Sequence, residues 1–141
     1  MKVKLNSLCI TNYDSEVVSN VKFLNEIKSD EEIISKVRGI SESLESSNGV
    51  NDLRLGSAYM IKENDSLIGL VRLLKKENKE KSLDIDMAIH KEYRDKGYGI
   101  KTLLELGNYI LDNSNLIEKI KLVKCVDSVD LQQQFEYKKH K

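Results

Sequence analysis

An α/β domain of the mixed, α+β kind, with a central mixed and mostly antiparallel sheet flanked by helices, is predicted by three observations. Apolar residues recur at helical spacing in the first third of the chain and give way to strand-like runs from Leu55 onward. Two of those runs are separated only by Glu63-Asn64-Asp65-Ser66, which is hairpin chemistry. A third run, Leu83-Asp84-Ile85-Asp86-Met87-Ala88-Ile89, passes through a glycine-containing loop into a helix-like run and then another strand-like run. A strand–helix–strand crossover of this kind is right-handed and places its two strands in parallel.

The elements follow in order. Residues 3–10 mix apolar and polar positions and read as a first strand. Thr11-Asn12-Tyr13-Asp14 is turn chemistry, with a helix N-cap ahead of Val17. Val17, Val18, Val21, Leu24 and Ile27 mark a helix, which Ser29-Asp30 breaks and recaps. Ile33, Ile34, Val37, Ile40 and Leu44 mark a second helix from Glu31, ending in the polar run Glu45-Ser46-Ser47-Asn48-Gly49. Strands are expected over residues 55–61, 67–74 and 83–89, with residues 75–81 a charged hairpin tip. Ile100, Leu103, Leu104, Leu106, Tyr109, Ile110 and Leu111 mark the helix after the loop, and Asn113-Ser114-Asn115 ends it. Residues 117–126 read as a last strand. No internal repeat and no long linker divides the chain, so residues 1–141 are expected to form one domain.

Composition narrows the function. Lys plus Arg and Asp plus Glu both count 23, and this zero net charge gives no electrostatic case for nucleic acid or a membrane surface. The basic end, Lys138-Lys139-His140-Lys141, reads as a solvated terminus. Cys9 and Cys125 lie far apart in apolar contexts, without metal-ligand spacing, as reduced thiols of a cytoplasmic protein would. No signal-peptide pattern is present, and no apolar run approaches the roughly 20 residues that span a bilayer.

The chemistry concentrates in Arg94-Asp95-Lys96-Gly97-Tyr98-Gly99, where a strand turns into a helix. The first N–H groups of a helix lack internal partners, and its N-terminus carries about half a positive charge. Glycines let the backbone approach a ligand. Such a segment is a cradle for phosphate or pyrophosphate. It is not a dinucleotide fingerprint, because Thr102 stands where the third glycine belongs, and no P-loop run occurs. What remains is [QR]-x-x-G-x-[GA], filled by Arg94, Gly97 and Gly99.

This loop, in its strand–helix setting, resembles the coenzyme A pyrophosphate loop of the GNAT superfamily of N-acetyltransferases, and the element order resembles that fold to about Val126. The resemblance implies acetyl-CoA as cofactor and direct attack of a primary amine on its thioester. Met87, Ala88 and Ile89 would pair with the pantetheine amides in a gap where the strands before and after the loop diverge. An N–H near Ile89 would polarise the thioester carbonyl. Arg94, Lys96 and the amides of Gly97, Tyr98 and Gly99 would hold the pyrophosphate, with Asp95 among them. Lys101 and Thr102 would reach phosphate or ribose oxygens.

The amine must lose a proton before it attacks, and a carboxylate can accept it. Asp84 and Asp86 share one face of their strand, and Asp86, nearer the cofactor end, is the preferred acceptor. A solvent-facing aspartate without a catalytic role is the competing reading, and Glu92 and His90 are alternatives. Tyr137 is the candidate proton donor to the departing thiolate.

The match departs from the family after Val126. The usual Asn and Gly-Phe are missing from Asp127-Ser128-Val129-Asp130-Leu131-Gln132-Gln133-Gln134-Phe135. Either Asp127 takes the Asn position or Gln134-Phe135 stands for Gly-Phe. The last hairpin is expected to be incomplete, leaving the final strand with an open edge through which two copies could pair as a homodimer. The same shortening makes a non-catalytic acyl-CoA-binding module the alternative function.

Overall fold

The computed structural model describes residues 2–77, 81–127 and 135–138. Its core is one seven-stranded sheet whose strand order follows the sequence, β1 to β7. The strands are β1 (Lys2–Lys4), β2 (Cys9–Thr11), β3 (Ala58–Glu63), β4 (Ser66–Glu77), β5 (Ser82–Ile89), β6 (Lys119–Val126) and β7 (Phe135–Lys138). All neighbours are antiparallel except β5 and β6, which are parallel. The helices are α1 (Val18–Lys28), α2 (Glu31–Lys36), α3 (Ile40–Ser46) and α4 (Tyr98–Asn113). The mixed, mostly antiparallel sheet with flanking helices is thus the one expected.

Three elements differ from expectation. The single first strand is a small hairpin, β1–β2. Its turn is closed by Leu5 N–H donating to Leu8 O at 2.9 Å. It is pinned to α4 where the Ser7 and Leu8 N–H groups donate to the Glu105 carboxylate at 2.7 and 2.9 Å. The single helix expected from Glu31 to Leu44 is two. Val37 leaves helical dihedrals (φ −127°, ψ 68°), and Gly39 restarts the chain at φ +78°, a left-handed value that glycine adopts without strain. Val37 and Ile40 remain buried, so the apolar spacing persists across the break. Strand β4 runs on to Glu77, into what was expected to be a loop, and residues 78–80 of that loop lie outside the described residues.

The expected open edge on the last strand is also corrected. Strand β7 pairs with β6 from Lys119↔Lys138 to Leu122↔Phe135, because Phe135, Glu136 and Tyr137 resume strand pairing before the basic end. The ground for homodimer formation through that edge falls away along this half of the strand. Residues 139–141 of the basic end lie outside the described residues.

Strand alternation divides the molecule into two faces. Leu83, Ile85, Met87 and Ile89 pack with Leu103, Leu106 and Ile110 of α4. Ala88, on the other face, joins Phe23, Leu24, Ile33 and Leu44 of α1–α3. Asp86 shares the Ala88 face, where the Arg72 guanidinium forks onto it: Nε donates to Oδ1 at 3.1 Å and the second nitrogen to Oδ2 at 2.6 Å. Arg72 and Asp86 are direct cross-strand partners, and only 2% of the Asp86 side chain is exposed. Burial pushes the Asp86 carboxyl up from its ordinary range, and the Arg72 charge pulls part of that back.

Two stability outcomes follow. A Cβ at Gly69 would lie 2.6 Å from the Ala88 carbonyl oxygen and 3.0 Å from Ile89 Cδ1. Gly69→Ala therefore forces β4 and β5 apart at their upper end and should cost about 1–3 kcal/mol in urea unfolding. Asp86→Ala leaves a buried guanidinium unpaired and should cost about 3 kcal/mol or more. The double variant Arg72→Met/Asp86→Leu, measured in the same way, should recover most of that loss.

Candidate functional site

The loop after β5 is held by a side chain rather than by its own turns. Ile89 ends the strand, His90 leads into a single 3-10 turn at Lys91–Tyr93, and Arg94 then folds back. Its Nε donates to the Ile89 carbonyl at 2.9 Å, and a terminal nitrogen donates to Asp30 Oδ2 at 2.6 Å. Asp30 also caps α2, its Oδ1 accepting from the Glu32 and Ile33 N–H groups at 3.1 and 3.3 Å. Arg94, expected on the pyrophosphate, is therefore already committed, and 15% of its side chain is exposed.

Beyond Arg94 the backbone curls. Asp95 (φ +64°) and Gly97 (φ +84°) take left-handed values, and the curl brings the Asp95 and Gly99 N–H groups onto one anion as a nest. Gly97 caps α4 without a side chain, and among the described residues no atom beyond its chain neighbours and the α4 backbone lies within 4 Å of where its Cβ would be. The nest contains an anion from the chain itself. Asp127, the residue after β6, accepts from the Asp95 N–H at 3.2 Å through Oδ1 and from the Gly99 N–H at 2.9 Å through Oδ2. No described residue accepts from the N–H groups of Lys96, Gly97 or Tyr98.

The other loop residues divide between packing and solvent. Lys96 is exposed, lies 5.6 Å from the Tyr93 ring centre and donates to the Glu92 carbonyl. Tyr98 sets its ring edge-on to Tyr93 and donates its hydroxyl to Glu63 at 2.6 Å. Lys101 joins the same Glu63 carboxylate at 2.7 Å. The Lys101 and Tyr98 hydrogen bonds hold the Glu63 carboxyl below its usual range, and the hydrogen bond to Glu63, with burial, pushes the Tyr98 phenol up. Thr102 is fully buried, and its hydroxyl is without a partner among the described residues.

Met87, Ala88 and Ile89 are fully buried. The expected divergence of the two parallel strands is not found at the first two. Pairing continues through Met87↔Cys125 and Ala88↔Val126, with a register shift between Ile85 and Asp86. Ile89 is the first residue of β5 that pairs with β4 alone, opposite Gly69. Cys125, beside Met87, has its thiol pushed up to about 12, by burial first and then by the Asp127 and Asp86 charges.

The donor set suits a diphosphate: two N–H groups already converge on a carboxylate, the side of the loop at Gly97 is open, and the buried Thr102 hydroxyl, without a partner among the described residues, lies just past the first turn of α4. The two catalytic expectations fare differently. Both Asp86 oxygens are engaged by Arg72. Tyr137 pairs with Ile120, whose other neighbour is Leu83 at the opposite end of β5 from Ile89. Six residue steps of strand, about 20 Å, separate Leu83 from Ile89. Tyr137 packs on Gly107 of α4 and bonds Asn108.

A groove of about 900 Å³ opens where β5 ends, between α1, the start of α2 and the His90–Arg94 segment. It is lined by Glu16, Glu26, Asp30, Glu31 and Glu32, against Lys22, Lys91 and the already paired Arg94. His90 is 5% exposed. Its Nδ1 accepts from the Glu92 N–H at 3.2 Å, which assigns the proton to Nε2, 3.3 Å from Glu26 Oε2. His90 was an alternative in the sequence, but Glu26 was missed. Its spacing on α1 marks it only as a polar residue between Leu24 and Ile27. Among the described residues, no cluster suits a metal ion and no helix is long and apolar enough to cross a membrane.

The sequence pattern described as Acetyltransferase (GNAT) family matches residues 22–139. No curated protein matches the chain. The fold is similar to that of a GNAT-family acetyltransferase from Bacillus anthracis (TM-score 0.62, 14% identity, covering 86% of this chain and 72% of that one). It is also similar to RimL, a ribosomal L7/L12 alpha-N-protein acetyltransferase solved with coenzyme A (TM-score 0.60, 12% identity, 94% and 77% covered). A third likeness is to the microcin C7 self-immunity acetyltransferase MccE, solved with acetyl-CoA and AMP (TM-score 0.57, 16% identity, 83% and 69% covered). The family's cofactor is acetyl-CoA. With the family's pattern spanning residues 22–139, most of the sequence, the chain belongs to the GNAT family of acetyltransferases.

Proposed function

We propose that the chain transfers the acetyl group of acetyl-CoA to a primary amine that enters the groove beside α1. The observation that carries this is the convergence of the Asp95 and Gly99 N–H groups on one anion at the head of α4, directly after the strand that ends at the groove. Acetyl-CoA would supply the activated thioester. The residues that would hold its diphosphate are Asp95, Lys96, Gly97, Tyr98 and Gly99 through their N–H groups, with Thr102 contributing its hydroxyl. Arg94 acts as the anchor of this loop rather than as a phosphate ligand. Ile89, the first β5 residue without a β6 partner, is where strand-like pairing to the pantetheine arm would begin.

The groove suits a cation. Its carboxylates outnumber its cations, so an ammonium group is drawn in before it is deprotonated. Glu26 is the proton acceptor of this proposal. Its side chain is 40% exposed in the groove, and His90 Nε2–H holds one of its oxygens from behind. Because the His90 Nδ1 lone pair is already used by the Glu92 N–H, the ring positions Glu26 rather than taking the substrate proton itself. The acceptor in this reading is a small-molecule or peptide amine.

The strand pairing at Met87 and Ala88 favours a second reading, a module that binds an acyl-CoA without turning it over. Release of free thiol from acetyl-CoA over a panel of amines separates the two. Turnover on any amine supports the enzyme, and binding without turnover on all of them supports the module.

Coenzyme A should raise the melting temperature, since a ligand at one hundred times its dissociation constant adds about 2.7 kcal/mol to the folded state. Gly97→Val places a branched side chain at φ +84° in the open mouth of the loop. It should cost about 1–2 kcal/mol of stability and weaken coenzyme A binding by about tenfold or more in a calorimetric titration. Glu26→Gln should lower kcat by about a hundredfold while leaving coenzyme A affinity unchanged, as read in steady-state kinetics and the same titration.

A further inference from the structure

We propose that Asp127 is a built-in competitor for the diphosphate: in the free protein its carboxylate fills the anion nest, and a bound diphosphate must displace it. This rests on the proposed reading of residues 94–99 as the cofactor cradle.

Three observations support it. The Asp127 carboxylate spans the nest, one oxygen on the Asp95 N–H at 3.2 Å and the other on the Gly99 N–H at 2.9 Å. A diphosphate held by the amides of residues 95–99 would draw on these same two donors, and a second anion at hydrogen-bonding distance from the carboxylate would be repelled by it. Asp127 is 7% exposed, so solvent does little to screen that repulsion. Finally, Asp127 lies one residue beyond Val126, the last residue of β6 paired to β5. Its carboxylate can leave the nest without breaking a rung of the sheet. Since Gly97 gives α4 no capping side chain, Asp127 supplies that cap from across the sheet until a better anion arrives.

A cap that is purely structural predicts the opposite response to its removal, because loosening the head of α4 would weaken any ligand held there. The distinguishing experiment titrates inorganic pyrophosphate into wild-type protein and into Asp127→Asn, which keeps the shape and loses the charge. The variant should bind about tenfold more tightly. Equal or weaker binding by a folded Asp127→Asn protein overturns the proposal. Should the variant fail to fold, amide resonances of the wild type carry the test. Pyrophosphate should move the Asp95 and Gly99 signals, and the proposal fails if only Lys96, Gly97 and Tyr98 respond. Coenzyme A titrated in parallel reports separately on the acetyltransfer reading. If it binds neither protein while pyrophosphate still prefers the variant, the competitor role stands and the cofactor assignment falls.

Discussion

The arrangement depends on the fork of Arg94. A loop with two glycines among six residues has many conformations available, and a ligand that had to select one of them would bind weakly. Arg94 removes that freedom. It grips the carbonyl of Ile89 with one nitrogen and the carboxylate of Asp30 with another, so the exit of β5, the entry of α4 and the N-terminus of α2 are located by one planar group. The guanidinium is mostly shielded, and Glu32 lies 3.7 Å from it. The charge that the sequence offers as a ligand hand is engaged within the fold by Ile89, Asp30 and Glu32.

Polar chemistry gathers on one side of the sheet for a simple reason. Residues 86, 88 and 90 follow the two-residue strand period toward α1–α3, while 85, 87 and 89 face the apolar stripe of α4. The α4 side is packed with Leu103, Leu106 and Ile110. On the other side α2 and α3 are short and separated by the break at Val37–Gly39, and beside them the surface opens into the groove that holds Glu26 and His90.

The fold was legible to the extent that its signals are local. Hairpin chemistry at Asn64-Asp65, the α4 periodicity and the glycine loop each declare themselves within a few residues. The α2–α3 break was obscured because Val37 and Ile40 keep helical spacing across it, although Gly39 was the available sign. The site was legible as backbone, since a glycine loop at a helix head has only a few uses. Its side-chain partners were not. Arg94 meets Asp30 across 64 residues, His90 meets Glu26 across 64, and Asp127 meets Asp95 and Gly99 across 32 and 28. No spacing rule links positions that only the folded sheet brings together.

The buried Arg72–Asp86 pair has a consequence for how β4 finds its place. Sliding β4 by one residue along β5 would swing Arg72 onto the apolar face under α4, away from its acid and among Leu103 and Leu106. A naked guanidinium in that oily layer is far costlier than any contact the slipped ladder could regain. The ion pair contributes little net adhesion by itself, yet it functions as an address label: it makes one alignment of the two strands tolerable and its nearest competitors forbidding.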